Sequence, residues 1–189
     1  RMAEVAPEVD FVKRNEDVVD RLLGLQETGA LPLRITHNDT KINNVLFDVE
    51  TDEAVCVIDL DTVMPGLSLY DFGDLVRTAT NPAEEDERDL KKVQLRMGVF
   101  EALVEGYLSS AGGVLEDAEI AHMAFSGRLI SVELGMRFLT DHLNGDQYFR
   151  VYRKNQNLDR ARTQLRLAEQ IAKHEEEMNG FVFKVAKGR

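Results

Sequence analysis

Between two short apolar runs stands the densest group of polar side chains in the chain, His37-Asn38-Asp39-Thr40-Lys41-Ile42-Asn43-Asn44, followed at once by Val45-Leu46-Phe47. Fifteen residues after Asn44, the apolar run Val55 to Ile58 ends in Asp59-Leu60-Asp61. If the two runs pair as an antiparallel hairpin, the residue just before the first and the residue just after the second lie side by side at one end. Asn44 and Asp59 then converge, with Asp39 on the loop leading in. An amide oxygen and one or two carboxylates are hard ligands suited to Mg²⁺, which keeps several waters and bridges substrate phosphates. A further carboxylate nearby can accept a proton from a substrate hydroxyl.

The elements that must position these residues can be read from pattern. From Val9 to Gln26, Phe11, Val12, Val18, Val19, Leu22 and Leu23 recur at helical spacing, with Gly29 and Pro32 closing the helix. Leu33 to Thr36 reads as an extended lead-in, and Asn44 to Phe47 with Val55 to Ile58 as the hairpin, joined by an acidic turn over Asp48 to Glu53. On this strand Cys56 is expected to point inward as a small core residue. After Asp74 the pattern is helical again. Asn81-Pro82-Ala83-Glu84 has the grammar of a helix start, and apolar residues from Leu90 to Leu108 then recur at threes and fours until Gly112-Gly113. Further helices are predicted from about Glu116 to Leu143 and from about Leu158 to Met178. The fold class is mainly α with a small β-hairpin insert, in one domain. Function is expected on the insert, because loops between rigid elements carry chemistry.

Composition excludes several classes. The 189 residues hold 23 Lys+Arg against 34 Asp+Glu, a net charge of −11. Non-specific binding of nucleic acid or anionic membrane needs a basic surface and is not expected. The single cysteine excludes a disulfide framework and a cysteine-rich zinc site. No apolar run approaches the ~18 residues of a membrane span, and no signal peptide is visible, so a cytoplasmic location is the expectation. Gly24 to Gly29 mimics the start of a P-loop, but Ala30-Leu31 stands where Lys-Ser/Thr is required. No G-x-S-x-G elbow or sulfatase motif is present. The Glu84 to Asp89 and His174 to Glu177 runs read as solvated helix surface, and His122, His142 and His174 match no metal spacing.

The order H-x-D-x-x-x-x-N, strand, I-D-x-D resembles the aminoglycoside phosphotransferase/choline kinase family, which shares the protein-kinase fold. The kinase catalytic loop has the same five-residue step from Asp to Asn. The resemblance implies Asp39 as catalytic base, Asn44 and Asp59 as Mg²⁺ ligands with ATP as donor, and Asp61 as a second ligand or outer group. It places Lys41 where a lysine faces the transferring phosphoryl group, and it gives His37 a structural role. Asp71-Phe72-Gly73 imitates the kinase metal-binding triplet, but Asp71 is expected to brace the catalytic loop through backbone hydrogen bonds. The wider stretches His37 to Asp48, Val57 to Gly66, Tyr70 to Asp74 and Arg137 to Tyr148-Phe149 are similar to the N-acetylhexosamine 1-kinases. That similarity implies Arg137 and Tyr148 as sugar contacts. Asp141, which shares a helix face with Ile130, Leu134 and Arg137, joins them as a candidate, since a charged pair on an apolar stripe wants a partner or ligand.

A kinase of this fold also needs a glycine-rich strand-turn-strand and a strand lysine, and nothing before His37 supplies them. Residues 1 to 30 read as a helix and a loop, and Arg1-Met2 is no translational start. The expectation is therefore the C-terminal lobe of a two-lobed small-molecule kinase, over residues 1–189, with the N-terminal lobe of the same parent chain as its partner and little activity alone. The acceptor expected is an N-acetylhexosamine. Choline, homoserine or an aminoglycoside is the near alternative, and a non-catalytic kinase-lobe module the distant one.

Overall fold

The computed structural model describes residues 1–188. Seven α-helices and four short strands follow one another in the order α1 (Ala6–Arg14), α2 (Glu16–Glu27), β1 (Arg34–Thr36), β2 (Val45–Phe47), β3 (Ala54–Val57), β4 (Met64–Gly66), α3 (Ser68–Thr80), α4 (Met97–Ala111), α5 (Asp117–Ala121), α6 (Met123–Leu143) and α7 (Gln156–Lys187). The helices α3, α4, α6 and α7 enclose the main core, in which Phe72, Phe100, Val104, Met123, Leu167 and Ile171 are almost wholly buried. Phe72 lies edge-on to Phe100 at 6.3 Å between ring centroids and 5.0 Å from Tyr107, in the arrangement aromatic pairs favour.

Two glycines set how closely α3 and α6 approach. A Cβ on Gly73 would lie 2.5 Å from the carbonyl oxygen of Ser126, and one on Gly127 would lie 2.6 Å from Val76 Cγ1. The string Asp71-Phe72-Gly73 thus has a structural reading at each place: a loop brace, a core aromatic, and a close helix contact.

The strands form two separate antiparallel pairs. The β2–β3 hairpin has Val45 opposite Val57 and Leu46 opposite Cys56, with an irregularity before Phe47. The lead-in strand β1 pairs with β4, Thr36 opposite Met64, an arrangement the sequence pattern did not disclose because β4 is only Met-Pro-Gly.

Several boundaries differ from expectation. The first helix is broken at Asn15, whose side chain donates back to the Phe11 carbonyl. The predicted helix start at Asn81 is instead the end of α3. A residue before proline is pushed out of the α region, and Asn81 is extended at φ −87° and ψ 122°. Residues 81–96 then run irregularly, held by short-range turns of their own and by ties to α7, to the residues just before it and to the end of α3. Arg153 and Gln156 bind Asp86, Thr163 binds the Glu87 carbonyl, and Arg96 caps the Thr80 carbonyl. The helix predicted over 116–143 is interrupted at His122, and α7 extends nine residues beyond Met178. Cys56 is exposed, as is all of β3, so its expected place in the core is corrected: among the described residues no layer covers the hairpin.

Candidate active site

The loop from His37 to Asn44 hangs between β1 and β2 and is fastened on three sides. Asp71, in the first turn of α3, accepts the backbone N–H groups of His37 at 2.8 Å and of Asn38 at 2.7 Å. Thr40 Oγ1 donates to the Asp71 carbonyl at 2.7 Å. Asn38 takes a left-handed conformation, φ 64°, which asparagine tolerates better than most residues, and its Nδ2 donates to the Thr62 carbonyl at 2.9 Å. His37 Nε2 donates to the Ile58 carbonyl at 3.0 Å, and Thr62 Oγ1 donates to the His37 carbonyl at 2.6 Å. His37 therefore ties the loop to the end of the hairpin, with its ring 3.0 Å from backbone rather than on another side chain.

Within this frame Asp39 is held asymmetrically. Its Oδ2 accepts Lys41 Nζ at 2.7 Å and Asn44 Nδ2 at 2.8 Å, and Asn44 Nδ2 also reaches the Asp39 carbonyl at 2.8 Å. Oδ1 accepts no hydrogen bond among the described residues. Partial burial pushes the Asp39 carboxyl up. The hydrogen bonds from Lys41 and Asn44, with the charges of Lys41 and His37, outweigh it and hold the group below its ordinary value.

The hairpin brings Asn44 and Asp59 together, as its register requires. Val45 faces Val57, and the Ile58 N–H donates to the Asn44 carbonyl at 2.9 Å, so Asp59 follows directly on the bond that closes the pair. Asp59 is left-handed at φ 62° and opens the single helical turn Leu60–Thr62 that carries Asp61. Both carboxylates are exposed and make no ion pair among the described residues. Asn44 is buried with its amide nitrogen fully used, which leaves Oδ1 as its free polar atom. This donor set, one amide oxygen and one or two open carboxylates, fits Mg²⁺ shared with phosphate oxygens. Among the described residues no three His, Cys, Asp or Glu side chains cluster as a self-sufficient metal cage.

A cavity of about 540 Å³ opens beside Asp39, bounded by α2, α3 and α6. Its polar wall comprises Asn38, Tyr70, Asp74, Arg77, Glu133 and Arg137, and Leu129, Ile130 and Leu134 form the apolar side. Arg77 pairs with Asp74 at 2.7 Å, and Arg137 lies 3.6 Å from Glu133. Burial pushes the Glu133 carboxyl up against the opposing pull of Arg137 and Arg77, and burial with the Glu133 charge raises the Tyr70 hydroxyl. Arg137 also approaches the Tyr148 ring, 5.9 Å from guanidinium carbon to centroid. Tyr148 is mostly exposed.

Asp141 does not line this cavity. Its carboxylate accepts the backbone N–H groups of Gln147, Tyr148 and Phe149 at 2.8 to 2.9 Å and Asn157 Nδ2 at 2.8 Å. Four donors occupy both oxygens, so Asp141 braces the loop that presents Tyr148; it also lines, with Arg137 and Tyr148, a separate recess of about 470 Å³. Sequence reasoning overlooked Glu133, Tyr70 and the Asp74–Arg77 pair. Glu133 stands one helical turn before Arg137, a spacing that could have flagged it.

The model of the APH family, described as Phosphotransferase enzyme family, matches residues 1–108 of the 189. The chain belongs to that family. The matched span of this phosphotransferase contains the whole loop from His37 to Asn44, the hairpin, Asp59, Asp61 and the Asp71 brace. A kinase-type enzyme is the consequence. Among the described residues no helix is long and apolar enough to cross a membrane.

Proposed function

We propose that the chain is the C-terminal lobe of an ATP- and Mg²⁺-dependent kinase that phosphorylates the anomeric hydroxyl of an N-acetylhexosamine. The observation that carries this reading is the state of Asp39. One carboxylate oxygen is fixed by Lys41 and Asn44, the other is unpartnered, and the residue borders a 540 Å³ cavity. A carboxylate held in this way orients a hydroxyl and receives its proton as the acceptor oxygen bonds to phosphorus and the bond from phosphorus to the nucleotide breaks. Lys41, 2.7 Å from Asp39, carries positive charge to the same point. Asn44 and Asp59, with Asp61 alongside, would hold Mg²⁺, which when bound neutralises phosphate charge during transfer.

The cavity's charge balance favours a neutral polyol. Asp74 and Glu133 are offset by Arg77 and Arg137, and Asp39 by its ion pair with Lys41, leaving no unpaired carboxylate to draw a quaternary ammonium or a polyamine. Leu129, Ile130 and Leu134 suit the carbon face of a sugar ring. Exposed apolar side chains on the hairpin and its neighbours, including Phe47, Val55, Val57, Leu60 and Met64, support an N-terminal lobe covering this face in the parent protein. On this reading the lobe alone does not turn over.

The test is ADP release by the parent protein with N-acetylglucosamine, N-acetylgalactosamine, choline, homoserine and an aminoglycoside offered in turn. Release should depend on an N-acetylhexosamine and vanish in Asp39→Asn. Robust turnover by that variant removes Asp39 from the chemistry, and preference for an amine acceptor removes the sugar.

A further inference from the structure

A second recess, of about 360 Å³, opens on the same catalytic carboxylate and meets the larger cavity at Asp39, Arg77 and Leu134. Four cations line it, Lys41, Arg77, Arg150 and Arg160, in a chain whose net charge is −11. Three of them have a carboxylate each: Lys41 has Asp39 at 2.7 Å, Arg77 has Asp74 at 2.7 Å, and Arg160 has Glu85 at 3.1 Å. Arg150 has none among the described residues. Its guanidinium carbon stands 5.1 Å from the centroid of the Tyr152 ring, a contact that orients the group while consuming none of its hydrogen-bond donors. The Arg150 carbonyl accepts Arg160 Nη1 at 3.1 Å at the exposed rim of the recess. The recess therefore offers one guanidinium without a carboxylate partner, open to solvent, beside three further cations and the carboxylates Asp39 and Glu85. A fork of this kind suits a tetrahedral oxyanion.

We propose that this recess seats the phosphate of the phosphorylated product, a sugar phosphate monoester, with Arg150 as its principal ligand. The identity of the ester rests on the reading given above, whereas the recess itself is a site for phosphate of any source. The two-chamber arrangement supplies the reason. An acceptor ring in the larger cavity presents its oxygen at Asp39, a carboxylate that borders both chambers. The larger chamber adds Asp74 and Glu133 against two arginines, whereas the smaller adds only Glu85 against four cations. The cation-lined chamber on the other flank of Asp39 gives the new dianion a place to lie. Arg150 and Tyr152 come from the loop after Tyr148, so the loop that Asp141 braces serves the phosphate as well as the acceptor.

The test is calorimetric titration of the full 189-residue chain with inorganic phosphate at low ionic strength. Saturable binding is expected, weakened about tenfold by Arg150→Gln through loss of charge-assisted hydrogen bonds. Arg166→Gln removes an arginine on α7 paired with Glu169 at 2.9 Å and serves as the control for bulk charge, with a change of less than about twofold expected. Absence of saturable binding to the unaltered chain, or equal weakening by the two variants, overturns the proposal. A second titration with N-acetylglucosamine 1-phosphate separates the two readings. Tighter binding than phosphate supports both. Binding no tighter than phosphate, with the Arg150 dependence intact, keeps the recess and removes the sugar.

Discussion

Replacing Asp71 by asparagine tests whether this residue is a brace or a metal ligand. Its two oxygens accept the His37 and Asn38 backbone N–H groups at 2.8 and 2.7 Å, and the second of these holds Asn38 in its left-handed conformation. Asp71→Asn keeps the shape but turns one acceptor into a donor facing an N–H, so one hydrogen bond to a charged acceptor is lost and the other becomes neutral. A hydrogen bond to a charged group contributes about 1.5–3 kcal/mol and a neutral one about 1 kcal/mol. The loss is then about 3 kcal/mol before screening, and about 2 kcal/mol for a half-buried carboxylate. In a domain of this size that lowers Tm by about 4–8 °C. The assay is urea and thermal unfolding of the 189-residue chain in chelator, which removes any metal contribution. A loss below about 0.5 kcal/mol in chelator would refute the bracing role. A metal ligand predicts that outcome, with the effect of the substitution appearing only when Mg²⁺ is added.

Two further perturbations test the frame around the site. Gly73→Ala places a methyl group 2.5 Å from the Ser126 carbonyl oxygen, a backbone atom that cannot turn aside, and should cost at least about 1–3 kcal/mol by the overpacking rule. An unchanged melting temperature would mean that α3 and α6 can separate freely. Asp141 predicts a pH dependence. Its carboxyl is pushed up by burial, but the N–H groups of Phe149, Tyr148 and Gln147 with the Asn157 amide outweigh this and leave it below its ordinary value. The stabilisation is fully present above the unfolded carboxyl's pKa of about 4 and is lost as pH falls through the lower folded value. Asp141→Asn should therefore lower stability at pH 7 and flatten the decline below about pH 4 in acid unfolding curves. An acid limb as steep as the unaltered protein's would count against the brace.

The polar residues of the site could be found in the sequence because their spacing is short. Asp39 and Asn44 lie on one loop, and a hairpin whose strands are each apolar must bring its two ends together, so Asp59 follows from local pairing alone. Helix existence was equally legible from periodicity. The break before Met97 was not, because Asp86 and the Glu87 carbonyl are satisfied by Arg153, Gln156 and Thr163, some seventy residues away in the chain. Nor was the outward face of β3, since alternation along four residues does not say which side another element will cover. Asp141 shows the same limit at the scale of a side chain. Its helix face suggested a ligand, whereas the loop folding back over the helix supplied three backbone donors and α7 a fourth, from Asn157.

The sequence alone therefore determined the polar loop from His37 to Asn44, the convergence of Asn44 and Asp59 at the hairpin's end, and the mainly helical class. Each depends on contacts within a span of about twenty residues, where backbone geometry leaves few alternatives. Only the tertiary structure decided which groups share a chamber with Asp39. Glu133 and Arg137 come from α6, Tyr70, Asp74 and Arg77 from α3, and Arg150 from the loop beyond α6. Their meeting depends on how α3 and α6 pack, at a distance set by two glycines whose missing Cβ atoms carry no signal in composition or charge.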